Sequence, residues 1–175
     1  ICPKGKYIIN GKCEDCASGT YTDDAEQAIC KTPGPGMRAA TDKKSEVACE
    51  PGTWAAAKNV ARTACANPDA GKYADSHTSQ KVCPAGTWAA TNNVARGHGT
   101  TGCATPDAGK YASSVTSQDP CPAGTFAGNS TIARGHGTAA GATKSRGCTP
   151  AYKGHYVPSW APFGGTGTYQ LSCGY

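Results

Sequence analysis

The chain has 175 residues, a net charge of +5 and eleven cysteines, while its Leu, Ile, Val and Phe number one, five, six and two, roughly 8% of the length. That fraction lies far below the ~20% under which chains ordinarily stay disordered, which excludes a conventional single-core domain, and the charge is too small for a charge-expanded disordered chain. Covalent staples are expected to replace the core: closing a loop of about 15 residues is nominally worth about 3 kcal/mol, and disulfides at such density imply an oxidising, extracellular or cell-surface location.

The chain opens on Ile1-Cys2-Pro3 without a signal-peptide pattern, and no apolar run approaches the ~18–20 residues of a membrane span. It reads as a mature or partial chain, with membrane attachment through a segment outside it left open. From Cys2 onward one phrase, Cys/Pro-x-x-Gly-x-aromatic, returns along the chain. The copies are Cys2-Pro-Lys-Gly-Lys-Tyr7, Cys16-Ala-Ser-Gly-Thr-Tyr21, Cys49-Glu-Pro-Gly-Thr-Trp54, Pro68-Asp-Ala-Gly-Lys-Tyr73, Cys83-Pro-Ala-Gly-Thr-Trp88, Pro106-Asp-Ala-Gly-Lys-Tyr111 and Cys121-Pro-Ala-Gly-Thr-Phe126. Pro33-Gly-Pro-Gly-Met37 loses the aromatic, and Ala151-Tyr-Lys-Gly-His-Tyr156 loses the opening Cys or Pro. A short period with a fixed phrase means tandem units, each too small to bury a face alone. Pro at the second position and Gly at the fourth suit a type I turn leading into a short extended segment. The aromatics that follow are expected to form a core ladder packed on disulfides, with sugar stacking as the minority alternative. Nine modules of two short strands each, at ~4.8 Å spacing, predict a rod of roughly 85 Å.

The phrase sorts the cysteines into openers, Cys2, Cys16, Cys49, Cys83 and Cys121, and closers, Cys13, Cys30, Cys65, Cys103 and Cys148. Sequence alone does not prove connectivity; local pairing of each opener with the next closer leaves no module half-stapled. Three residues after Cys30, Cys65 and Cys103, where an opener is due, stand Pro33, Pro68 and Pro106, which would hold the turn without the staple. Three regions follow: two Cys-stapled modules over 1–32, alternating Pro-type and Cys-type modules over 33–150, and a divergent aromatic, Pro- and Gly-rich module over 151–175. The insertion Gly97-His98-Gly99-Thr100 is expected at a loop tip. Cys173 has no opener in its module, which marks it for an intermolecular bridge, with a buried free thiol or a truncated chain as alternatives.

Few residues suggest chemistry. Cys13-Glu-Asp-Cys16 has redox or zinc spacing, but the module grammar explains it and no second pair exists, so neither a metal site nor a cofactor is expected. Arg96-Gly-His98-Gly-Thr100 and Arg134-Gly-His136-Gly-Thr138 read as a duplicated loop; His98 and His136, at equivalent places, are candidates for a small pH- or zinc-sensitive patch. No catalytic constellation is present, so an enzyme is not expected. Lys72, Lys110 and the doublet Lys43-Lys44 are dispersed rather than a nucleic-acid footprint. Asn129-Ser-Thr131 is an N-glycosylation sequon, so covalent glycans are candidate additions. Trp160, Phe163, Tyr169 and Tyr175 in the last module either cap the array or form an assembly contact, favoured by the nearby Cys173.

The Cys-Pro-x-Gly-Thr-aromatic phrase over about residues 2 to 156 resembles the cysteine-rich repeats of the ephrin-receptor-like and TNF-receptor-like class. In its Ala, Gly and Thr richness the chain is closest in character to protist surface-antigen, flagellar-hair (mastigoneme) and extracellular fibre proteins. The resemblance implies a small disulfide-rich fold: an elongated tandem array of short β-hairpin and turn modules with little helix and no conventional hydrophobic core. The loss of opener Cys to Pro departs from that class. The functional expectation is a non-enzymatic extracellular structural protein, a glycoprotein subunit of a filament, appendage or coat, partnered by itself or by other coat proteins. The alternative is a receptor-like ectodomain that binds a protein or glycan ligand.

Overall fold

The computed structural model describes residues 1–56, 60–91, 94–98, 102–122, 125–127, 148–150, 155–156 and 171–172. The fold is a small disulfide-rich array of β-hairpins, with twelve short strands in two-stranded sheets and no helix among the described residues. The strands β1 (Lys6–Ile9) and β2 (Lys12–Asp15), β3 (Met37–Ala39) and β4 (Glu46–Ala48), β5 (Lys72–Ser76) and β6 (Ser79–Val82), and β7 (Lys110–Ala112) and β8 (Gln118–Pro120) form consecutive hairpins. Downstream, β9 (Thr125–Phe126) pairs with β10 (Thr149–Pro150), and β11 (His155–Tyr156) with β12 (Leu171–Ser172). Two compact units emerge, one of Ile1–Pro68, Tyr73–Lys81 and Asn93–Gly102, the other of Asp69–Lys72, Val82–Asn92 and Cys103–Tyr175.

The phrase glycine makes each module's turn. In Pro3-Lys4-Gly5-Lys6 the Lys6 amide donates to the Pro3 carbonyl, and the same bond recurs as Thr20 to Ala17, Met37 to Gly34, Thr53 to Glu50, Lys72 to Asp69, Thr87 to Pro84 and Lys110 to Asp107. Gly5, Gly19, Gly36, Gly52, Gly71, Gly86 and Gly109 all have φ between +70° and +86°. The turns are therefore type II with Gly at the third position, one residue later than the type I turn expected from the sequence. A Cβ at that φ is strained, which is why the glycine is the one element of the phrase that never changes.

Two module types alternate. Hairpin modules open at Cys2, Pro33, Pro68 and Pro106, and each ends where the next opener's amide donates to the hairpin module's own glycine: Cys16 to Gly5, Cys49 to Gly36, Cys83 to Gly71 and Cys121 to Gly109. Bridge modules open at those four cysteines, and there the phrase aromatic pairs with the residue after the closer, Tyr21 with Lys31, Trp54 with Ala66, Trp88 with Ala104 and Phe126 with Thr149. Disulfides join Cys2 to Cys13, Cys16 to Cys30, Cys49 to Cys65, Cys83 to Cys103 and Cys121 to Cys148.

In the unstapled hairpins, Pro33, Pro68 and Pro106 fill the fully buried place of the opener half-cystine. At the closer's place, three residues before the next opener, stand Glu46, Gln80 and Gln118 instead of a counterpart to Cys13. Glu46 Oε2 accepts the Gly34 amide at 2.8 Å, and Gln118 Oε1 accepts the Asp107 amide at 2.8 Å. A side-chain-to-backbone hydrogen bond thus takes over where the sequence suggested that proline alone held the turn.

The core differs from the expected aromatic ladder. Its buried members include the opener half-cystines, Pro33, Pro68 and Pro106, Thr22 and the small residues Ala39, Ala74, Ala89, Ala112 and Ala127, whereas among the described phrase aromatics Tyr21 alone is buried, at 7% exposure. Small residues are favoured because backbones of adjacent modules approach to hydrogen-bonding distance. The residue after each bridge-module aromatic is a relay point. In the first unit Thr22 accepts from the Gly5 amide and donates to Lys43, while Ala55 accepts from Gly36 and donates to His77. In the second, Ala89 accepts from Gly71 and donates to Val115, and Ala127 accepts from Gly109.

Candidate functional site

A second relay runs through arginine backbones. The Arg62 amide donates to Gly19 and its carbonyl accepts from Ala39; the Arg96 amide donates to Gly52 and its carbonyl accepts from Ala74. Each side chain then turns inward: Arg62 Nη1 donates to the Gly34 and Met37 carbonyls at 3.4 and 3.3 Å, and Arg96 Nη2 to the Pro68 carbonyl at 3.3 Å. Arg96 is 6% exposed, and burial lowers its pKa below the ordinary arginine value. These arginines carry structural duties that composition did not flag. The only sequence signal was the recurrent Val-Ala-Arg before a closer, at Val60-Ala-Arg62 and Val94-Ala-Arg96.

The relays leave little room around the turn glycines. A Cβ on Gly36 would lie 2.9 Å from His77 Cβ, on Gly71 2.7 Å from Val115 Cγ2, and on Gly19 2.5 Å from the Arg62 amide nitrogen. Within each unit, then, the tip of one hairpin seats on the turn glycine of the hairpin module before it.

Among the described residues, the ring of His98 contacts His77 at the β5–β6 tip: Nε2 to Nε2 is 2.9 Å, the ring centroids are 4.0 Å apart and the rings are nearly perpendicular at 87°. His77 is half-buried and His98 exposed. The insertion that carries His98 begins packed rather than as a free tip, because Gly97 is buried, has φ +83° and bridges Ala74 in parallel. A Cβ at Gly97 would collide with the Ala74 carbonyl oxygen. His136 lies outside the described residues, and with it the expected placement of the two duplicated-loop histidines on one edge.

Trp54 is half-buried beside a cavity of about 320 Å³ lined by Ala55, Ala56, Val60, Arg62 and Ala66. Cys13 and Cys16 sit in different disulfides, which removes the redox or zinc arrangement suggested by their spacing. Lys72 pairs with Asp69 and Lys110 with Asp107 at equivalent solvated positions. Among the described residues no group of three or more His, Cys, Asp or Glu is placed to hold a metal. Cys173, Asn129, Trp160, Phe163, Tyr169 and Tyr175 lie outside the described residues.

No family profile matches the chain. A 68-residue stretch, 39% of this chain, is 34% identical to Ephrin type-A receptor 3 of Danio rerio, of which it covers 7%. The chain therefore spans a small fraction of that receptor's length.

Proposed function

We propose that the chain is a non-enzymatic structural repeat protein of the cell surface or extracellular space, a subunit of a fibre, appendage or coat that associates with copies of itself or with similar proteins. The observation that carries this reading is the repetition of one contact inside each unit: a hairpin tip on a turn glycine, a relay amide between them, and near-identical alanines beneath. Surfaces spent on contact between successive modules, with few distinctive side chains displayed, suit a scaffold better than a ligand-specific face. Five disulfides support an oxidising destination. Assembly contacts are assigned to the terminal aromatics, with Cys173 as the intermolecular link and Asn129 as the glycan acceptor.

A receptor-like ectodomain is the second reading, favoured by the 34% identity to an ephrin receptor segment. Electron microscopy of the oxidised protein, with non-reducing against reducing gels, separates the two. The structural reading expects ordered polymers and disulfide-linked species lost in the Cys173→Ser variant. Discrete monomers under both conditions would contradict it.

A further inference from the structure

The Nε2 atoms of His77 and His98 face each other at hydrogen-bonding distance, a separation that also matches two adjacent ligands of one ion. Nitrogens bound at about 2.0–2.1 Å to one metal lie about 2.9 Å apart at adjacent corners of a square, and about 3.3–3.4 Å apart at tetrahedral corners. The observed Nε2 separation is 2.9 Å. We infer that His77 and His98 form a two-imidazole surface site for a tetragonal divalent ion, Cu2+ ahead of Ni2+, with Zn2+ bound more weakly.

Both ligands are held by the backbone. The His77 carbonyl is tied by the Ala55 amide and its Cβ packs over Gly36, while His98 has φ +41° directly after the bridged Gly97. Each ring is therefore presented from an anchored turn, and little conformational freedom is lost when a metal replaces the shared proton. The neighbouring acid, Asp75, is engaged by Lys81 and by the Ser79 hydroxyl at 2.7 Å. With no third His, Cys, Asp or Glu in reach among the described residues, water or a group on another molecule would complete the coordination. Imidazole nitrogens suit this ion class, and Cu2+ heads the affinity order for such ligands. The site is independent of the assembly role and uses no terminal residue.

The test is Cu2+ titration into the full oxidised chain carrying Cys173→Ser, so that no thiol competes, read by calorimetry and by electron paramagnetic resonance. The inference expects one tightly bound Cu2+ per chain with nitrogen couplings, a rise in melting temperature with added Cu2+, and affinity lowered at least about tenfold by His77→Ala and by His98→Ala but not by His136→Ala. Both substitutions spare the backbone relay, and unchanged melting without metal checks that the fold is kept. Equal Cu2+ affinity in the parent and both variants, or a signal lost only with His136→Ala, would overturn it.

Discussion

At the scale of single residues, two glycines with the same backbone demand separate strain from contact. Gly71 and Gly11 have φ of +74° and +72°, but a Cβ at Gly71 meets Val115 at 2.7 Å whereas at Gly11 nothing lies within 4 Å. Denaturant titration of oxidised protein should find Gly11→Ala destabilised by about 1 kcal/mol and Gly71→Ala by about 2–4 kcal/mol, since overpacking adds about 1–3; equal effects would place the hairpin tip elsewhere. Arg96→Met should cost about 1–3 kcal/mol by leaving the Pro68 carbonyl short of its donor. The glycines were legible because their φ requirement stamps the phrase itself. The arginines were not, because their duty arises from the backbone they share with neighbouring modules.

Among the elements, the hairpins show two ways of closing one loop: a disulfide in the first, and in the β3–β4 and β7–β8 hairpins a buried proline with a Glu or Gln bonded to the backbone. The alternation of Cys and Pro was readable from spacing, but the hydrogen bond at Glu46 and Gln118 was not, since a surface Gln carries no signal until its register is known. Pro106→Cys with Gln118→Cys occupies the places of Cys2 and Cys13, and should form a bridge worth about 2–3 kcal/mol against the unfolded chain; mass spectrometry showing two free thiols would deny the equivalence. Gln118→Ala alone should lower stability by about 1 kcal/mol. Acid should act on the same hairpins. Hydrogen bonds from Lys110 and Gln118 hold Asp107 below the ordinary carboxylate value, and those from Lys81 and Ser79 do so for Asp75. Folded pKa values below unfolded ones give stability that is present above about pH 4 and lost as the pH falls through the folded values. A chemical-melt series should therefore show a decline beginning near about pH 4, less steep in Lys110→Met. The solvated setting of these pairs keeps the decline small.

For the molecule as a whole, the sequence conveyed the replacement of a core by staples, because fourteen large apolar residues cannot form one. It overstated the aromatics: Trp54, Tyr73, Trp88 and Tyr111 remain half-buried while alanines occupy the tightest places. The reason is geometric, since amides that reach across modules leave space for a small side chain, an alanine or, at Thr22, a threonine. These backbone relays, rather than side-chain burial, join module to module. Hydrogen exchange on the oxidised protein, resolved to single amides, measures this linkage. The amides of Gly36, Ala55, Arg62, Gly71, Ala89 and Arg96 should exchange as slowly as those of the hairpin strands; exchange as fast as at the open turn of Asn10 and Gly11 would mean that the relays do not join the modules.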